Sequence, residues 1–88
     1  MAREMALVKV IGTGEKRVEA LRVADTFRAR VVDTTTGSFV FEITGSSEKL
    51  DAFIDLMRDL GLAEVSRTGV AALARGARVL SSLSHSER

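Results

Sequence analysis

The side chains able to do chemistry fall into a few small groups along the 88 residues. Gly12-Thr13-Gly14 follows an apolar run and precedes a helical pattern, the place where loops that cradle phosphates occur. A dinucleotide fingerprint needs a third glycine three residues on, and Arg17 stands there. The Gly-Lys-Ser/Thr of a P-loop is absent. Free amides at a helix start also favour a carboxylate, so Gly12, Thr13 and Gly14 stay as a possible small-ligand or partner contact beside the plain reading, a tight turn. Gly37-Ser38-Phe39-Val40-Phe41 partly echoes an RNA-binding strand on which bases stack. That reading requires the phenylalanines to face solvent, and neither an aromatic in the first strand nor a basic residue at Thr36 supports it. A core strand is the expectation.

Asp51, Asp55 and Asp59 recur every four residues and share one helix face, where Lys49 and Arg58 offset part of their mutual repulsion. His85 is the single histidine and has no second ligand type near it in sequence, so neither a metal site nor a catalytic dyad can be built on it. Arg67-Thr68-Gly69 closes an apolar-polar run, and Ala74-Arg75-Gly76 follows. An arginine at a strand end beside a glycine turn can hold a carboxylate, a phosphate or a partner's backbone. Its ordinary alternative is an exposed edge residue before a turn, and both readings stay open for Arg67, Thr68 and Gly69. No catalytic constellation, cofactor site or metal site results, so the chain is expected to be no enzyme.

The elements that carry these residues follow from periodicity. Met5 to Ile11 is apolar except for Lys9, too short for a helix, and predicts a buried strand. Thr13 is placed to cap the next helix, with Glu15 favourable in its first turn. Ala20, Val23, Ala24 and Phe27 give that helix an apolar stripe at i, i+3, i+4, i+7. Arg30 to Asp33 predicts a short strand, and Thr34 to Gly37 a turn in which Gly37 takes positive φ. Ser38 to Thr44 alternates, with Phe39, Phe41 and Ile43 on one face and Val40 and Glu42 on the other. Ser46-Ser47 caps a second helix with the stripe Leu50, Phe53, Ile54 and Met57, and Gly61 is placed to close it. Leu62 to Thr68 predicts a last strand, and the residues from Val70 to Gly76 a further turn or two of helix.

The order β-α-β-β-α-β is that of a ferredoxin-like (ACT-like) α+β sandwich. Right-handed crossovers give a four-stranded antiparallel sheet in the order 4-1-3-2 with both helices on one face. Its first and third strands are expected in the centre, and the more polar second and fourth at the edges. The expected domain is 3–76, with 77–88 as a flexible tail.

Composition limits the function classes. A chain this size supports one modest core, which a deep substrate cleft would largely consume. Net charge is +1, with lysines and arginines spread out, which gives no field for nucleic acid or anionic lipid. There is no cysteine, excluding disulfides and thiolate metal sites and agreeing with a reducing compartment. No apolar run approaches the roughly 20 residues of a membrane span, and Met-Ala-Arg-Glu lacks the layout of a signal peptide. The expectation is a cytoplasmic protein with neither nucleic acid nor membrane as partner.

Five blocks, in order, resemble the C-terminal domain of the acetolactate (acetohydroxyacid) synthase small subunit. They are Arg3-Glu4-Met5-Ala6-Leu7-Val8-Lys9-Val10, Phe27-Arg28-Ala29-Arg30-Val31-Val32-Asp33, Phe41-Glu42-Ile43-Thr44-Gly45 with Lys49, Glu64-Val65-Ser66-Arg67-Thr68-Gly69-Val70, and Ala72-Leu73-Ala74-Arg75-Gly76. The resemblance implies a regulatory, non-catalytic subunit. Such a subunit binds the thiamine-diphosphate-dependent catalytic large subunit of branched-chain amino-acid synthesis, raises its activity and confers feedback inhibition, commonly by valine. The effector sits mainly in an N-terminal ACT domain that has no counterpart here. The resemblance therefore implies a piece separated at the domain boundary, with Met1 an added start. A homodimer is expected, and copies of such a fold can pair edge to edge or face to face. The open sheet face carrying Val40 and Glu42 is the expected dimer or partner contact. The alternative reading is a stand-alone ACT-like amino-acid sensor binding near Gly12-Thr13-Gly14.

Overall fold

Alternation in two strands decides how the chain packs. In the computed structural model, which describes residues 3–69, strand β1 spans Glu4–Ile11 and strand β3 spans Ser38–Gly45. They pair antiparallel with Ala6 opposite Ile43, Val8 opposite Phe41 and Val10 opposite Phe39. All six of these side chains are buried, so one face of the sheet is covered. Their neighbours Leu7 and Ile11 are 38% and 55% exposed, so the other face is open.

Helices α1 (Gly14–Thr26) and α2 (Ser47–Arg58) cover the buried face. Strand β2 (Arg30–Thr34) pairs with β3, and β4 (Leu62–Gly69) pairs with β1. The sheet order β2-β3-β1-β4 is the expected 4-1-3-2 read from the other edge. As the charge pattern requires, β1 and β3 are central and β2 and β4 are edges.

All four phenylalanines lie in or against the core. The Phe39 and Phe41 rings stack at 5.5 Å, Phe41 meets Phe53 edge-on at 6.0 Å, and Phe53 meets Phe27 at 5.5 Å. Phe39 and Phe41 face the helices, which removes the stacking platform an RNA-binding strand would need. Helix α2 buries the whole predicted stripe, Leu50, Phe53, Ile54 and Met57, and the Ser46 hydroxyl accepts from the Lys49 amide at its start. Helix α1 buries only Ala20 and Ala24 fully.

Several local expectations are corrected. Thr13 stands at the N-cap of α1 in extended conformation, but its side chain makes no capping hydrogen bond. Gly37 does not take positive φ. Thr35 shapes the β2–β3 turn instead: its amide donates to the Ser38 carbonyl at 2.9 Å and its hydroxyl accepts from the Gly37 amide at 3.2 Å. Gly61 does not close α2, which ends at Arg58 with Asp59 as its cap. Gly61 instead lets the next strand pass close to β1. The readings placed on Val70–Gly76, on the tail 77–88 and on His85 lie outside the described residues.

Candidate functional site

The six residues singled out for partner or ligand contact occupy opposite ends of β1. Gly12, Thr13 and Gly14 follow its last residue, whereas Arg67, Thr68 and Gly69 pair with Ala6, Met5 and Glu4 at its start. Seven residue steps of about 3.3 Å separate those ends by roughly 23 Å. They therefore form two places, not one site.

At the first place the Gly12 amide donates to the Gly37 carbonyl at 2.9 Å, tying the loop to the β2–β3 turn. Gly14 opens α1 with φ +65°, a conformation that needs glycine. Thr13 makes no capping hydrogen bond, so its side chain does not accept from the first amides of α1. A shallow depression beside them is lined by Gly14, Glu15, Lys16, Val18, Glu19, Arg22 and Leu60. Arg22 is committed to Glu19 at 2.8 Å, and Glu15 and Lys16 beside them leave the lining with no net charge to draw in a carboxylate ligand.

Sequence reasoning passed over Arg17 except as a missing glycine. Its guanidinium lies 4.0 Å above the Phe39 ring, and its Nη1 is buried with no partner. The signal was present: Arg17, Ala20 and Ala24 stand at i, i+3, i+7, so the arginine stem continues the buried stripe of α1.

At the second place Arg67 leaves the sheet on the helix side, in register with buried Ala6. Its Nη2 donates to Glu4 Oε1 at 2.6 Å and its Nη1 to Asp51 Oδ1 at 2.5 Å, with Ser47 Oγ at 3.2 Å. One guanidinium thus joins β4 to β1 and to the first turn of α2. Burial works to lower its pKa, but the hydrogen bonds and charges of Asp51 and Glu4 outweigh this and raise it above the ordinary arginine value. Asp51 is spoken for, and Asp55 lies 3.6 Å from Arg58, so the acidic row on α2 is neutralised in two separate places. Among the described residues no three His, Cys, Asp or Glu side chains are arranged to hold a metal.

The open sheet face is the third surface. Met5, Leu7, Lys9 and Ile11 run along its centre, with Val40, Glu42 and Thr44 beside them on β3. Leu7 lies between Glu42 and Ser66, and Lys9 between Val40 and Glu64. Glu42 is bridged by Arg30 at 2.6 Å across to the β2 edge. The expected residues Val40 and Glu42 do lie on this face, and the exposed aliphatics at its centre are Leu7 and Ile11.

Fold and surfaces together define a ferredoxin-like module of the ACT type, in which Arg22, Arg30, Arg58 and Arg67 are each paired with a carboxylate of the same chain. The chain belongs to the family described as the small subunit of acetolactate synthase, whose model matches residues 3–76. A probable acetolactate synthase small subunit of Archaeoglobus fulgidus is 47% identical over 74 residues, covering 84% of this chain and 46% of that protein. The crystal structure of the acetolactate synthase small subunit of Thermotoga maritima superposes with a TM-score of 0.71 at 36% identity, over 78% of this chain and 42% of that one. The ACT domain of the GTP pyrophosphokinase of Chlorobium tepidum, at 15% identity and a TM-score of 0.52 over 75% of this chain and 96% of that one, shares the fold alone. The chain thus spans less than half the length of the small subunits it matches and corresponds to their C-terminal domain. No helix among the described residues is long and apolar enough to cross a membrane.

Proposed function

We propose that this domain is a non-catalytic, regulatory part of acetolactate synthase that acts by contact with other chains in the cytoplasm. In this reading it helps bind and activate the thiamine-diphosphate-dependent catalytic subunit and passes on feedback control by branched-chain amino acids. It does so as a paired copy, with 3–76 as its working unit and 77–88 as a tail. The observation that carries the reading is the family match across nearly the whole chain. The open face supports it, because Leu7 and Ile11 expose apolar surface that a partner's surface can cover. The test is co-purification of the 88-residue chain with the catalytic subunit, with and without the small subunit's first domain, together with the activity of each mixture. Retention of the chain in both cases is expected. Absence of association in either case overturns a direct contact role for this domain.

A second reading, an amino-acid sensor at Gly12-Thr13-Gly14, has one observation in its favour. The first amides of α1 receive no cap from the Thr13 side chain. Titration calorimetry with valine, leucine and isoleucine separates the two readings: tight binding to this chain alone selects the sensor. The balanced charge of the depression, Glu15 and Glu19 against Lys16 and Arg22, supplies no cationic attraction for a carboxylate and favours the regulatory reading.

A further inference from the structure

The open face of the sheet carries an apolar strip one strand wide, interrupted by a single cation. Met5, Leu7, Lys9 and Ile11 stand along β1, and Leu7 and Ile11 are 38% and 55% exposed. On the β3 side the strip is bordered by Thr44, Glu42 and Val40, and on the β4 side by Thr68, Ser66 and Glu64. Strands lie about 4.8 Å apart, and a helix with its side chains is about 10 Å across. One helix laid along β1 therefore covers the strip and rests its shoulders on the two polar borders. A second sheet would set its own inner residues against those borders instead.

Two opposed charge pairs stand on this face, and they differ. Arg30 and Glu42 face each other across β2 and β3 and are closed at 2.6 Å. Lys9 and Glu64 face each other across β1 and β4, yet among the described residues neither forms an ion pair. The register shifts beside them: Val10 lies opposite Leu62, so Ala63 is the extra residue of a bulge. A bulge bends and twists its strand and re-aims neighbouring side chains. An open cation thus sits between Leu7 and Ile11, with an open anion on the β4 border.

We propose that this face docks an amphipathic helix of the catalytic subunit, lying along β1 with an acidic residue on Lys9 and a basic residue on Glu64. The inference rests on the reading of this domain as one that contacts that subunit, and it names the element and the charges involved. Same-face residues of a strand are about 6.7 Å apart, and a helical step from i to i+4 advances about 6.0 Å. Over the two steps from Leu7 to Ile11 the mismatch is only about 1.4 Å, so a helix keeps pace with the strand. The docking helix must read apolar at i, acidic at i+4 and apolar at i+8, with a base on the shoulder above β4. Residues 70–86 of this chain contain no aspartate or glutamate, so they lack the acid that Lys9 requires.

The test is the dissociation constant of the full 88-residue chain for the acetolactate synthase catalytic subunit. Lys9→Met keeps the apolar stem and removes the charge, and is expected to weaken binding about fivefold. Lys9→Glu, which sets acid against acid, is expected to weaken it about thirtyfold. Glu64→Gln is expected to cost about fivefold and Leu7→Asp about a hundredfold. Val18→Asp, at an exposed apolar residue of α1, is expected to leave binding unchanged, and melting temperatures near the parent's show that the variants are folded. In the complex, hydrogen exchange on the catalytic subunit is expected to protect one helix with the stated spacing. Binding untouched by all four open-face variants overturns the docking site, while contact through another surface stands. Protection of an extended segment, or of a helix without the acid, overturns the helix. Loss of self-association in these variants, read by sedimentation equilibrium with binding intact, assigns the face to a second copy and overturns the proposal. A parent chain that does not bind the catalytic subunit overturns the contact reading, and the proposal with it.

Discussion

Two backbone positions carry more of the fold than their side chains suggest. Gly61 has φ +107°, and a Cβ placed there would lie 1.9 Å from the Ile11 carbonyl oxygen. Its own carbonyl accepts from the Ile11 amide at 2.8 Å, so neither backbone can move away without breaking that bond. Gly61→Ala is therefore expected to lower stability by about 3 kcal/mol or more, read as a fall in urea midpoint. Arg28 presents the opposite case. It has φ +60° just after α1, with its amide donating to Asp25 and the Ala29 amide to Ala24, the bond pattern in which glycine usually stands. Its side chain is exposed, so Arg28→Gly is expected to raise stability by about 1 kcal/mol, visible as a higher melting temperature. Sequence alone placed Gly61 at the end of a helix because it followed an apolar stripe. The requirement for glycine there comes from a strand about 50 residues earlier, which no local pattern reports.

Among the elements, β4 is attached to the helix layer by Leu62 and Val65, which pack against the core, and at its far end by one polar side chain. Arg67 is 24% exposed and donates to Glu4, Asp51 and Ser47, which belong to β1 and α2. Both readings left open for it at the sequence level, a free anchor and an exposed edge residue, overlooked these internal partners. Arg67→Ala leaves two carboxylates without their shared cation and is expected to cost about 2 kcal/mol, with the amides of β4 losing most protection from hydrogen exchange. The pKa of Arg67 is raised, so its stabilisation is complete below the ordinary arginine value and is lost only as pH rises through the still higher folded value. Across neutral and mildly alkaline pH the Arg67 contribution should therefore be constant. Helix α2 was legible in its start and its stripe, because the Ser46 cap and the apolar spacing are local signals, whereas its end was expected at Gly61 and falls at Asp59. Helix α1 was legible in outline only: it buries alanines, and the side chain that ties its first turn to the sheet is Arg17 on Phe39.

At the scale of the whole molecule, the phenylalanines separate two functional classes. The alternation of Phe39, Phe41 and Ile43 is equally compatible with a base-stacking platform and with a core. Two helices with apolar stripes require a covered sheet face, and the bulkiest set takes it. What remains outside is a mixed face centred on Leu7 and Ile11 and two edges of different character. Such a surface suits recognition by other chains more than enclosure of a small molecule. Co-purification with the catalytic subunit tests that surface directly.

By itself the sequence determined the element order, the sheet order, the core stripes and the family resemblance, because each rests on periodicity or on short contiguous blocks. The tertiary structure alone decided what the charged residues are for. Arg67 and Asp51 are 16 positions apart and meet only because β4 and α2 pack together. Arg30 and Asp33 share a face only because β2 bulges against β3. Gly12-Thr13-Gly14 and Arg67-Thr68-Gly69, similar as motifs, fall at opposite ends of one strand. Local patterns fix which way a side chain faces along its own element. Which charges meet across elements depends on register and packing, which one segment cannot encode alone.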